Sequence, residues 1–174
     1  MLLDYHRSVA AGGIGMTTVA YAAVTQSGLS FDRQLWMRPE IVPGLRELTD
    51  AVHKEGAAAG IQLGHCGNMS HKSICGCMPV GASSGFNLYS PTFVRGLRAD
   101  ELPEMARAYG RSVNLAREAG FDAVEIHAGH GYLISQFLSP STNHRKDEYG
   151  GSLQNRMRFM DMVMEEVMKA AGND

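Results

Sequence analysis

The segment from Gly120 to Phe159, GFDAVEIHAGHGYLISQFLSPSTNHRKDEYGGSLQNRMRF, constrains the fold more than any other part of the chain. Ala123 to His127 reads as a short buried strand, entered from a helix-ending Gly120 and left through a loop that carries His127, His130 and Tyr132. Alternate side chains of a strand share a face. Ala123, Glu125 and His127 therefore point one way, and Val124 and Ile126 the other. The apolar pair asks for a layer of helices, while the opposite face ends in an imidazole. That combination predicts an α/β barrel arrangement, in which chemical groups come from the C-terminal ends of strands and the loops that follow them.

The same strand, loop, helix order recurs three times along the chain. Leu2 to Ala11 reads as the tail of a helix, and Gly12, Gly13 and Gly15 frame a sharp entry into a strand over about Ile14 to Tyr21. Val24 to Met37 reads as a loop hinged at Gly28. Pro43 in a first turn, Leu45, Leu48 and Val52 at helical spacing, and Gly56 past the end predict the next helix. A strand follows over about Ala58 to Leu63, with Gly60, Gln62 and Gly64 on the face opposite Ile61 and Leu63. Gly64 to Arg98 is irregular and rich in Gly, Ser, Asn and Pro, the composition of a substrate-side loop with room for a small hairpin. Asp100 is the predicted N-cap of a helix over Glu101 to Ala119, with Leu102, Met105, Ala106, Tyr109, Val113 and Ala116 as its apolar stripe. Ser152 caps a last helix whose Phe159, Met160, Val163 and Val167 face inward.

Composition narrows the partners. A formal charge of −2 with mixed signs throughout gives no basic footprint for nucleic acid, and no apolar run reaches the length of a membrane span. The start, MLLDYHRS, lacks the apolar core of a secretory signal, so a cytoplasmic location is the expectation. Three cysteines, Cys66, Cys75 and Cys77, form no even disulfide framework and read as packing residues in a reducing compartment.

The run His127-Ala-Gly-His-Gly-Tyr-Leu-Ile-Ser-Gln-Phe-Leu-Ser-Pro140, followed by Asn143, Arg145, Asp147, Glu148, Tyr149, Gly150, Gly151, Ser152, Asn155 and Arg156, closely resembles the Old Yellow Enzyme family. The Gly-rich entry to the first strand and Ile61-Gln62-Leu63-Gly64-His65 extend the match. The resemblance implies an FMN-dependent flavoprotein, an oxidoreductase of the ene-reductase type that draws hydride from NADH or NADPH. It also implies a partial TIM (β/α)8 barrel. A complete barrel takes roughly 250 residues, whereas the three strands here correspond to the second, third and fourth of the family. Residues 1–174 are thus expected to form an incomplete FMN-binding domain, without the first strand and the last four, as a truncated product or the subunit of a split enzyme. Open strand edges would accept a complementary chain or a second copy.

By the same resemblance, His127 and His130 bind the carbonyl or nitro oxygen of an activated alkene. Hydride addition at the β-carbon drives negative charge onto that oxygen, and a donor fixed there is worth about 3 to 4 kcal/mol in comparable oxyanion sites. Tyr132 is the expected general acid, because a free phenol stays protonated at neutral pH and can deliver a proton to the α-carbon. Gln62 offers both a donor and an acceptor to the paired C=O and N–H edge of the flavin. Tyr21 and Ala22 fall where the family lines the flavin face and the substrate pocket.

Blander readings stand beside these. An isolated H-x-x-H is a loop histidine and a satisfied core histidine, Tyr132 alone is a packed aromatic, and Gln62 alone is a capping residue. Tyr21 alone is equally a core residue. A zinc site would need a third ligand that no usual spacing supplies, so no metal is expected. Cys75-Gly-Cys77 has no partner pair and does not match the iron–sulfur cysteines of related reductases. Arg145, Asp147, Glu148, Asn155 and Arg156 read as residues that fix a loop and a helix start. The principal reading is a reductase of α,β-unsaturated carbonyl compounds, with a small-molecule enone as partner. The alternatives are a catalytically inactive barrel segment acting only with a complementary chain, and a metal-dependent barrel enzyme.

Overall fold

The computed structural model describes residues 1–172. Its centre is a parallel sheet of β1 (Met16–Ala23), β2 (Ala58–Gly64) and β6 (Ala123–Ile126), with neighbours in space following chain order. A doubly wound sheet reverses direction at a switch point; this one does not, and winds in a single sense as a barrel wall does. β1 pairs with β2 through Thr18 opposite Gly60, and β2 pairs with β6 through Gln62 opposite Glu125.

The two faces of the sheet differ completely. Val19, Ile61 and Leu63 are buried against α1 (Leu2–Ala11), α2 (Val42–Lys54), α4 (Leu102–Glu118) and α6 (Leu153–Ala171). Each such side chain contributes roughly 1.5–3 kcal/mol by leaving water. Ala20, Ala123 and Glu125, on the other face, are exposed. The sheet therefore has one packed face and one open face, and it does not close.

All six residues of the predicted α4 stripe are buried, and Phe159, Val163 and Val167 of α6 pack toward them as anticipated. Asp100 does not cap α4. Ala99–Glu101 forms a 3-10 turn instead, and the Glu101 carboxylate accepts from the Arg98 amide at 2.7 Å while Asp100 pairs with Arg98. Glu101 also takes both nitrogens of Arg95, which gives it more donors than Asp100 could gather. β1 begins and ends two residues later than its apolar pattern suggests. Ala22 and Ala23 carry no strand signal of their own and are held by pairing with Leu63 and Gly64.

The irregular stretch after β2 holds a short helix α3 (Lys72–Cys75) and a small sheet of β3 (Val80–Gly81), β4 (Gly85–Asn87) and β5 (Thr92–Gly96). The antiparallel β4–β5 pair is the hairpin for which the composition left room. After β6, α5 (Leu133–Leu138) sets Phe137 on Phe159 of α6, ring centroids 4.6 Å apart.

Candidate active site

At the C-terminal end of β6 the strand register continues one residue, because the His127 amide donates to the Leu63 carbonyl at 2.8 Å. This fixes His127 on the open face, beyond Glu125. The chain then turns through His130, whose φ of 55° lies in the left-handed region that non-glycine residues rarely occupy. Such conformations persist where surrounding contacts over-determine them. Here the turn is tied by the Tyr132 amide donating to Gly129 O at 3.1 Å, and Tyr132 then opens α5 as its N-cap.

The result is a cluster of four rings. His130 Nδ1 lies 3.2 Å from His127 Nε2, the Tyr132 ring is 4.7 Å from His127, and Tyr21 packs 5.9 Å from His127 and 5.3 Å from Tyr132. Burial first, and then the neighbouring His130, push the His127 pKa below its ordinary value against an opposing pull from Glu125. The Gly129 amide donates to His127 Nδ1 at 3.3 Å. That direction assigns the proton of the neutral ring to Nε2, which donates to His130 Nδ1 and leaves Nε2 of His130 as its remaining donor.

Gln62 lies on the same open face, its Nε2 donating to Glu125 at 2.6 Å. Tyr21 reaches this face through a bulge between Val19 and Ala22, where two residues of β1 stand opposite one of β2. Its hydroxyl donates to Gly28 O, and burial raises its pKa well above the ordinary phenol value. Gly64 makes this possible, since a Cβ there would come within 2.8 Å of the Tyr21 ring and 3.0 Å of His127 Cβ. Ala22 does not join the group. It is fully buried opposite Leu63 in the helix-covered core, so it has no side-chain role on the open face.

Sequence reasoning gave no role to His65 or Gln136. His65 is fully buried, accepts from the Gly67 amide at 2.9 Å through Nδ1, and meets Ser27 Oγ at 3.0 Å through Nε2. Gln136 is buried beneath the signature loop and donates to Gly131 O at 2.6 Å and Asn68 Oδ1 at 3.0 Å. These residues hold the loops after β1, β2 and β6 together. The only signal for them was polarity inside a buried pattern, which does not reveal a partner.

Burial pushes the His65 pKa down to about 3. A histidine depressed in the folded state binds its proton mainly in the unfolded state, so stability is complete above the unfolded value of about 6.5 and falls as pH drops toward 3. The expected slope is about 1.4 kcal/mol per pH unit in that window. Urea unfolding of wild type and His65→Gln between pH 7 and 5 checks this; equal slopes would remove His65 as the cause.

The polar residues after the signature loop are structural. Arg145 bridges Asp147 at 2.5 Å and donates to Ala82 O at 3.0 Å, with the guanidinium beside Asp147 lowering that carboxyl's pKa. Asn143 donates to Phe137 O and Tyr149 O, both at 2.7 Å. Asn155 and Arg156 donate to Gly150 O and Leu138 O, while Glu148 is exposed. Among the described residues no three potential ligands gather to hold a metal, and no helix is long and apolar enough to cross a membrane.

Comparison with known proteins bears on the family and the fold. The chain is 41% identical over 172 residues to 4,4'-dithiodibutanoate disulfide reductase of Rhodococcus erythropolis, covering 99% of this chain and 43% of that protein. It is 38% identical to NADPH dehydrogenase of Bacillus subtilis, covering 95% of this chain and 48% of the relative. The solved Old Yellow Enzyme homologue of Zymomonas mobilis superposes with a TM-score of 0.91 at 32% identity, covering 99% of this chain and 51% of that one. Morphinone reductase in complex with tetrahydroNAD gives 0.90 at 28% identity, covering 99% and 52%. The chain thus spans about half the length of these relatives, and its open sheet is that share of their TIM barrel. With residues 1–174 matching throughout, it belongs to the NADH:flavin oxidoreductase / NADH oxidase family, the Old Yellow Enzyme group of flavin oxidoreductases that use FMN and NAD(P)H.

Proposed function

We propose that this chain is part of an FMN-dependent reductase of activated C=C bonds, in which residues 1–174 form an incomplete FMN-binding barrel domain. The observation that carries the reading is the grouping of His127, His130, Tyr132 and Tyr21 at one strand end, with Gln62 on the same open face. The residues fit one edge of a flavin. Gly60, Gly64 and Ala123 leave the face without bulk around Gln62, and its carboxamide, now spent on Glu125, can serve both a carbonyl and an N–H.

When bound, FMN supplies the hydride, itself replenished by NADH or NADPH. His127 and His130 bind and polarise the substrate oxygen, which competes for the Nε2 proton that His127 now gives to His130. Tyr132 holds the proton destined for the α-carbon. Tyr21 orients the cluster by packing on His127 and Tyr132, and its hydroxyl stays engaged with Gly28. The substrate class that suits these donors is an α,β-unsaturated carbonyl compound.

Titrating the full-length polypeptide with FMN tests the cofactor assignment. Flavin fluorescence should be quenched, and Gln62→Leu should weaken binding about tenfold, the worth of a hydrogen bond to a desolvated partner. Unchanged affinity in the variant would remove Gln62 from the site. A second reading has its own support in the uncovered sheet face: the chain as a subunit that assembles with a complementary chain carrying the remaining strands. Flavin binding that appears only after such a chain is added would favour it.

A further inference from the structure

The pair Cys75 and Cys77 has a geometry that the sequence did not announce. Cys75 ends α3, and Gly76 follows with φ +72°, a left-handed turn that caps the helix by donating its N–H to Lys72 O at 2.9 Å. The turn folds the chain back so that the two sulfurs lie 3.6 Å apart, at contact distance. Cys75 is buried, its thiol donating to Cys77 O at 3.2 Å, whereas Cys77 is exposed. Cys77 and Met78 line a cavity of about 590 Å³, shared with Thr25, Ser27 and Arg95, within the range that holds a small molecule.

We propose that Cys75 and Cys77 are a reversible dithiol–disulfide site that exchanges with small-molecule disulfides, Cys77 attacking and Cys75 resolving. In the first step Cys77 Sγ, as thiolate, attacks one sulfur of R–S–S–R, and the S–S bond breaks to give a mixed disulfide and one thiol. Cys75 Sγ then attacks Cys77 Sγ, the second thiol leaves, and the internal disulfide forms. Two cysteine thiols are oxidised and one external disulfide is reduced to two thiols. Partial burial and the neighbouring Cys75 push the Cys77 thiol up to about 11, with Arg95 opposing, so attack runs through a minor thiolate and quickens as pH rises. The ring closed across one residue gains little from loop entropy, and exposed or strained disulfides are the labile ones. Reduction by excess thiol should therefore be complete.

Intact mass and peptide mapping of the full-length polypeptide after treatment with oxidised glutathione at mildly alkaline pH test the proposal. Wild type should lose the mass of two hydrogens, show a Cys75–Cys77 linked peptide, and recover with dithiothreitol. Cys75→Ser should trap a stable glutathione adduct at Cys77, and Cys77→Ser should give neither product. A persistent adduct in wild type, no reaction at Cys77, or an internal disulfide in Cys77→Ser would each overturn the assignment. Neither variant touches the flavin face, so failure here leaves the reductase reading intact.

Discussion

Replacing Tyr132 by Phe is expected to slow alkene reduction by about 10²- to 10⁴-fold, the range for loss of a positioned general acid, and to leave flavin reduction by NAD(P)H unchanged. The ring would keep its packing at 4.7 Å from His127 and 5.3 Å from Tyr21, so the cluster should survive. Only the proton is removed. Stopped-flow measurement of the two half-reactions separates the cases: equal losses in both would make Tyr132 a packing residue and leave proton delivery without an agent in this chain.

The largest effect on stability is expected from Phe159→Ala, a loss of about 3–5 kcal/mol for a truncated buried aromatic. Phe159 is fully buried and stacks on Phe137, which lies in turn under the Arg145 guanidinium at 5.5 Å. Phe137 belongs to α5, whose N-cap position is Tyr132, so the cavity would open beneath the helix that follows the ring cluster. Denaturant unfolding of the full-length polypeptide reads the cost, with Phe159→Leu as the smaller truncation. A loss below about 1 kcal/mol would show that the site does not lean on this stack.

The sequence made the sheet legible wherever side chains alternate strongly. Ile61 and Leu63 against Gln62, and Val124 and Ile126 against Glu125, assign the faces of β2 and β6 without ambiguity. It left the Ala22 side chain undecided because an alanine reads equally well as a wall or as core, and the bulge that turns it into the core has no residue signature. His65 was invisible for another reason. Its partners, Ser27 and the Gly67 amide, come from different loops, and only folding brings them together. Cys75 and Cys77 read from sequence as packing residues, and it is the left-handed Gly76 that places their sulfurs in contact.

The bulge in β1 is a counting device. If Val19 to Ala22 paired residue for residue with β2 and no bulge formed, Tyr21 would fall opposite Leu63 and Ala22 opposite Gly64, and the two would exchange sides. The Ala22 methyl would then line the open wall, while the phenol of Tyr21 would be driven among the aliphatic residues beneath the helices. The extra residue thus adds no charge, yet it decides which side of the sheet carries the phenol.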